Sequence, residues 1–373
     1  MIRLLSIQPV AERGGSDQAQ LELLRLLPSS HFELHVASPA DPPLRGELEA
    51  CGATVHIVPM MRISGNHSFI DWLRFALRWP RSVLRLRSLI CSQNIDLVHT
   101  NSMHSWYGWA AAALARKPHV WHAREIVTQS TVALRVERFL MRRFATRVIA
   151  MSHAIAAQLD ARNVEVIYER ADPARFGPEH AGTFRQHVDI SDEAPLALIV
   201  GRLDTWKGFE VLLEAWPDVL NERSEAQLAI VGVEVTGKEA FAEQLRTTAA
   251  TLNGVHFLGS RTSMPAIYAD ADVVVVPSTD PEPYGLVVVE ALASGTPVVA
   301  TNHGGPPEIL NETVPDSGTL VPPHDPSALA KAILRFFPPS SSSAFRKARP
   351  PRSTLPEPRF AELFTRVLKD SLG

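Results

Sequence analysis

The sequence predicts an α/β protein of two domains, each with a parallel sheet covered by helices on both faces. Three observations carry this. Strand-like and helix-like patterns alternate from Ile2 to about Ala157 and again from about Pro195 to Phe337, as parallel strands joined by crossover helices do. The strand runs are short and β-branched, as in D-V-V-V-V-P at Asp272–Pro277, without the alternation of a half-exposed strand, so both faces are buried. A chain of 373 residues exceeds one ordinary core and suits two.

Composition narrows the class. Hydrophobic residues make up 45% and charged residues 21%, the balance of an ordered globular chain. Two cysteines, Cys51 and Cys91, point away from a disulfide scaffold and toward a reducing compartment, leaving room for one bridge at most. No apolar run reaches the roughly 20 residues of a membrane span, and the first residues enter a strand with no signal-peptide pattern, so a cytoplasmic location is expected. The charge is uneven. Residues 1–188 hold 22 Lys and Arg against 16 Asp and Glu, and the remainder holds 15 against 24, within a net charge of −3. Nucleic-acid binding is the poorer reading of the basic half, because no recognised module accompanies its arginines.

In chain order, Ile2–Ile7 reads as a first strand and Gln18–Leu27 as a helix. Between them, Gly14 and Gly15 permit close backbone approach at a helix entrance, which suits a phosphate as well as a plain tight turn. Phe69–Ile90 mixes Trp72 and Trp79 with Arg74, Arg78, Arg81, Arg85 and Arg87. Two readings stand for it: an amphipathic helix on an anionic membrane surface, or a domain helix with its apolar stripe in the core. Arg135–Arg147 is a second basic cluster. Asp96–His99 and Val120–Glu125 read as strands with the loops after them. Among 14 histidines, His122 is singled out for its place at a strand end, with His99, His104 and Arg124 as weaker neighbours. Ser152 suits a helix N-cap. After the strand Val164–Ile167 comes Y-E-R-A-D, and Asp172–Glu193 carries the changeover between domains.

In the second half, Ala197–Gly208 reads A-L-I-V-G-R-L-D-T-W-K-G. A strand ends at Gly201, and Arg202 and Lys207 then sit on the turn before a helix from Phe209. Two cations at such a junction suit a diphosphate, Arg as a bidentate donor and Lys as a point charge. Asp270-Ala-Asp272 matches a D-x-D string but runs from a helix end into a buried strand, so it reads as structural. No His/Cys cluster has metal spacing, and no metal site is expected.

Beyond Pro277, Asp280, Pro281 and Pro283 force a loop. Gly285 then opens L-V-V-V-E-A-L-A-S, which stops at Gly295 and Pro297, ordinary helix-stop residues. A strand end feeding a helix N-terminus is where open α/β sheets bind ligands, and the amides around Gly285, Leu286 and Val287 favour an anion. Glu282 lies just before this helix and Glu290 in its second turn, and carboxylates accept from the vicinal hydroxyls of a ribose or hexose. Pro338–Pro358 is Pro/Ser-rich and expected to be an exposed excursion. Phe360–Leu372 reads as a final amphipathic helix.

E-P-Y-G-L-V-V-V-E-A-L-A-S-G-T-P-V-V-A resembles the E-x7-E segment of retaining glycosyltransferases with the GT-B fold, the family 4-like group. The resemblance implies two Rossmann-like parallel-sheet domains facing a central cleft. Residues 1–180 would bind the acceptor and 181–358 the nucleotide sugar, with 359–373 a helix packing back toward the first domain. It places Glu282 against the donor sugar and Glu290 on the ribose hydroxyls. Tyr284, Gly285, Leu286 and Val287 would meet the sugar and diphosphate through backbone amides, Tyr284 standing where the family more often has Phe. Arg202 and Lys207 fall on the donor phosphates, the Gly14–Gly15 loop approaches phosphate and acceptor, and His122 takes the place of the active-site histidine. Glu169 and Arg170 replace the usual Asn-Gly, altering a turn near the acceptor.

The activity so implied is metal-independent transfer, with retention, from a UDP- or GDP-sugar to a hydroxyl acceptor, with no permanently bound cofactor. The acceptor would be a glycan or lipid-linked glycan in cell-surface synthesis, made in the cytoplasm or at the inner membrane face. Two alternatives use the same fold: a sugar-nucleotide epimerase, and a non-catalytic partner subunit that binds the sugar nucleotide.

Overall fold

The computed structural model describes residues 1–11, 15–61, 69–128, 130–159, 163–172, 174–261, 263–311, 316–338, 342–350 and 359–372. The chain divides into two compact units, residues 1–169 with 356–373, and residues 170–355.

The first unit holds a seven-stranded sheet of β1 (Ile2–Ile7), β2 (Phe32–Ser38), β3 (Thr54–Ile57), β4 (Leu97–Thr100), β5 (His119–Ala123), β6 (Arg147–Ala150) and β7 (Val164–Val166). Its spatial order is β3-β2-β1-β4-β5-β6-β7, and every pairing is parallel. Successive side chains point to opposite faces. Leu4, Leu97, Val120 and Ile149 enter one core with Leu21 and Leu24 of the first helix. Leu5 and Val98 enter the other, under the helices Phe69–Ser92 and Gly108–Ala115. The helix Arg359–Asp370 completes the first of these cores with Phe364, Val367 and Leu368. Cys51 and Cys91 are free thiols.

The second unit repeats the plan with β8 (Leu196–Leu203), β9 (Gln227–Glu234), β10 (Val255–Gly259), β11 (Val273–Val276), β12 (Val298–Thr301) and β13 (Gly318–Val321). Its order is β10-β9-β8-β11-β12-β13, again all parallel. Both sheets therefore reverse strand order beside their first strand, as doubly wound Rossmann-like sheets do.

One expected boundary shifts. The units part between Glu169 and Arg170, before the break expected at residue 180. The reason is local packing: Phe176 is buried 6.0 Å from the Tyr268 ring, and the Gly182 and Phe184 amides donate to the Asp270 carboxylate at 2.6 and 2.8 Å. In the described part of the Pro/Ser-rich segment Ala344, Phe345, Lys347, Ala348 and Pro350 are exposed, as expected, but two arginines anchor it. Arg346 and Arg349 are buried, Arg346 against Asp192 and Asp270 and Arg349 against Asp272 at 2.8 Å. Asp272 further accepts from Arg185 at 2.8 Å and the Leu196 amide at 2.9 Å. The D-x-D carboxylates are thus anchors for arginines within the unit.

Candidate active site

In the second unit β8 and β11 are neighbours although β9 and β10 lie between them in sequence. Strand order reverses there, and a crevice opens at the carboxyl ends of such strands. β8 runs into the turn Thr205–Lys207, and β11 runs into the loop 277–285. The two are tied together: the Thr279 amide donates to the Trp206 carbonyl at 2.8 Å. Gly208, at φ +75°, packs so closely that a Cβ would fall on the Pro277 carbonyl oxygen. Only glycine fits there.

This junction brings the two sequence motifs into contact. Lys207 Nζ donates to both carboxylate oxygens of Glu282, at 3.0 and 2.8 Å, and stands 4.2 Å from the centre of the Trp206 ring. Ser278 Oγ donates to Glu282 Oε2 at 2.9 Å. The pair is mostly shielded, with side-chain exposures of 17% and 11%. A third loop, after β12, holds the glutamate's backbone. The Gly305 amide donates to the Glu282 carbonyl at 2.8 Å, and Gly304 bridges to Glu282. His303 Nε2 and Thr301 Oγ1 donate to the Ser278 carbonyl at 2.8 and 2.9 Å.

Arg202 projects from the end of β8 with its side chain 46% exposed, 4.0 Å from the Asp204 carboxylate. Burial pushes the Asp204 acid up, but the Lys238 ion pair and the Arg202 charge outweigh it and hold the group below its usual range. Glu290, in the second turn of the helix Leu286–Ala293, accepts from the Tyr268 hydroxyl at 2.7 Å. Burial, then the Glu290 charge, pushes the Tyr268 phenol well above its ordinary range, so it stays a donor. Glu282 and Glu290 are therefore held by different partners. Gly285 enters the helix at φ +110°. The Leu286 and Val287 amides fall in the first turn, before any intrahelical acceptor. Tyr284 is buried and offers the crevice only its backbone.

The first unit has its own reversal between β1 and β4, and a buried polar chain crosses the carboxyl ends of its strands. Gln8 Nε2 donates to Asp17 Oδ1 at 2.9 Å, Asn101 Nδ2 to Gln8 Oε1 at 2.9 Å, and Arg124 to Asn101 Oδ1 at 3.3 Å. Arg124 also grips Glu169 with both terminal nitrogens, one of them at 2.7 Å. Glu169, met in sequence as a substitution in a turn, is thus the counter-ion of Arg124. His122 is the penultimate residue of β5. It is wholly buried, its ring centre 5.5 Å from that of His99 and 5.9 Å from that of Phe364. Neither ring nitrogen has a hydrogen-bond partner among the described residues, and burial, with Arg124 and His99 nearby, holds its pKa well below the usual imidazole range. The residue at which the chain leaves the sheet is Arg124. Gly14 lies outside the described residues, and Gly15 begins the first helix.

Comparison with known proteins decides the family. Residues 181–343 match the family described as glycosyl transferases group 1, and residues 14–170 match the glycosyl transferase 4-like domain. A D-inositol 3-phosphate glycosyltransferase of Salinispora tropica is 30% identical over 371 residues, covering 88% of this chain and 74% of that one. The chain belongs to the group 1 glycosyltransferases. Among solved structures, Anabaena HepE in complex with UDP and glucose superposes with a TM-score of 0.79 at 24% identity, over 99% of this chain and 100% of that one. WaaG, a glycosyltransferase involved in lipopolysaccharide biosynthesis, gives 0.69 at 17% identity, over 98% and 99%. Both likenesses establish the GT-B fold. Within this glycosyltransferase, sequence reasoning missed Ser278, His303 and Gly304. The T-N-H-G-G run after a buried strand marks a turn at Gly304, and nothing in the sequence singles out Ser278 or His303.

Proposed function

We propose that this glycosyltransferase moves a sugar from a nucleoside diphosphate sugar, UDP- or GDP-linked, to a hydroxyl acceptor with retention and without a metal. The observation that carries the reading is the two-pronged Lys207–Glu282 contact at the strand-order reversal of the second sheet. It sets a cation and a carboxylate beside a helix N-terminus, as a diphosphate joined to a polyhydroxyl ring requires. Glu282 receives sugar hydroxyls, and Glu290, fixed by Tyr268, receives those of the ribose. Arg202, Lys207 and the Leu286 and Val287 amides take the diphosphate charge that grows as the anomeric C–O bond breaks. The new C–O bond forms on the same face, and the acceptor proton passes to the departing phosphate. His122, sealed beneath Phe364, serves packing, and Arg124 takes its place at the end of β5.

The Anabaena relative solved with UDP and glucose supports the donor class. The lipopolysaccharide enzyme WaaG supports a glycan or lipid-linked acceptor in cell-surface synthesis, met at the inner face of the membrane. The test is thermal stabilisation by a panel of nucleoside diphosphates and their sugars, because a ligand that binds only the native state raises its melting temperature. One nucleotide should stabilise the protein, and Glu290→Ala and Arg202→Ala should each lose the effect. No shift with any of the panel at millimolar concentration sinks the proposal.

A further inference from the structure

Fifteen large hydrophobic side chains stand exposed among the described residues, and nine of them sit on three helices of the first unit, Phe69–Ser92, Gly108–Ala115 and Thr131–Phe144. These helices are contiguous. The Trp79 and Trp109 rings lie 6.2 Å apart, Trp109 stacks on Phe144 at 4.4 Å, and Arg87 donates to the Leu114 carbonyl at 3.3 Å. At 3.6 residues per turn, Ile70, Leu73, Leu77 and Leu84 fall within an arc of about 60° on the outer face of the first helix. That arc is opposite the buried Phe75, Leu86 and Ile90. Val132, Val136 and Phe139 form a matching outer stripe on the third helix.

Arginines border both stripes. Arg74, Arg78, Arg81 and Arg85 follow one side of the first, and Arg135, Arg142 and Arg143 line the second, all exposed. The carboxylates of these three helices are Asp71, paired with Arg74 at 3.3 Å, and Glu137, which is buried and accepts from His104 at 2.8 Å. The face is therefore aliphatic along its ridges and cationic along their flanks. No helix among the described residues is long and apolar enough to cross a membrane.

We infer that this face docks on the surface of an anionic lipid bilayer, the aliphatic ridges entering the acyl boundary while the arginines meet the headgroup phosphates. Charge complementarity selects this occupant. Two copies meeting through the face would bring arginine rows together, and a nucleic acid has no use for an aliphatic ridge, whereas an acidic lipid surface takes both components. The inference deepens the acceptor side of the proposed function and rests on that reading for its purpose. It uses none of the residues assigned to the donor crevice.

The experiment is co-sedimentation of the full chain with phosphatidylcholine vesicles, with and without phosphatidylglycerol, at low and high salt. The protein should pellet with the anionic vesicles only and be released by salt. Leu73→Glu with Leu77→Glu, and separately Arg78→Glu with Arg81→Glu, should each lower partitioning by roughly tenfold or more. All four positions are solvent-exposed, and an unchanged circular dichroism spectrum and nucleotide thermal shift would certify the fold. A Phe139→Glu variant tests the third helix alone. Absence of binding to anionic vesicles overturns the inference, as does binding that the leucine changes leave untouched. Concentration-dependent dimers abolished by the leucine pair, or retention on DNA in place of vesicles, would overturn it equally. Vesicle binding without nucleotide stabilisation would leave the docking face standing and remove the donor reading, so the two fail separately.

Discussion

Replacing Glu169 by Ala strands a guanidinium inside the first unit. Arg124 and Glu169 are 8% and 4% exposed, and the carboxylate receives both terminal nitrogens of the arginine. Without it, Arg124 keeps the Asn101 amide oxygen at 3.3 Å and little else to offset a buried charge. Breaking one side of such a pair costs about 3–5 kcal/mol, whereas replacing both sides by apolar residues of similar volume is close to neutral or stabilising. The single variants Glu169→Ala and Arg124→Ala should therefore each lose about 3–5 kcal/mol. Arg124→Met with Glu169→Leu should lose less than about 1 kcal/mol, a coupling far outside additivity. Because a two-unit chain need not unfold in one step, the readout is amide hydrogen exchange, which resolves β4, β5 and β7 from the strands of the second unit. A Glu169→Ala loss below about 1 kcal/mol, or a double variant as damaged as the sum of the singles, would refute the argument.

Gly304 sits at φ +73°, and a Cβ there would fall on the Glu282 carbonyl oxygen and amide nitrogen. Gly304→Ala should strain the backbone by about 1–2 kcal/mol and push Glu282 off Lys207. Calorimetry should then show sugar-nucleotide affinity falling roughly tenfold or more, while Gly46→Ala, in open space, leaves it unchanged. Stability should also fall in mild acid. His99 and His119 are each depressed to about 3, chiefly by burial, then by Arg124 and by His99 respectively. The unfolded chain takes up these protons near pH 6.5, but the native state refuses them until far lower. The contribution is therefore complete above 6.5 and drains by about 1.4 kcal/mol per histidine for each pH unit down toward 3. Urea midpoints that stay level between pH 7.5 and 5 would contradict this.

What the sequence made legible was whatever local pattern dictates. Buried β-branched runs such as Val273–Val276 can only be interior strands, and glycine and proline punctuate the helix that carries Glu290. Arg202, Lys207 and Glu282 were singled out in the sequence because each lies at or just beyond the carboxyl end of a strand. Their arrangement was not readable. Lys207 and Glu282 are 75 positions apart, and it takes the strand-order reversal and the Gly208–Pro277 approach to make them touch. Glu169 read as an irregularity because its partner, Arg124, lies 45 positions away. His122 is the penultimate residue of β5, and because both faces of that strand are covered its imidazole is enclosed. Ser278 and His303 act through main-chain and carboxylate contacts that leave no pattern of their own.

The helix Arg359–Asp370 has a consequence for how the chain is made. Phe364 and Leu368 are fully buried in a core whose other members come from the first 170 residues. During synthesis, the first unit leaves the ribosome with an open apolar trough over Leu4, Val120 and Ile149. Phe364, Val367 and Leu368 fill that trough only after the whole second unit has emerged. The second unit, by contrast, is continuous and can mature as it appears. The core of the half made first is thus closed by residues made last, and removing the helix Arg359–Asp370 would open that half and leave the core of the second untouched.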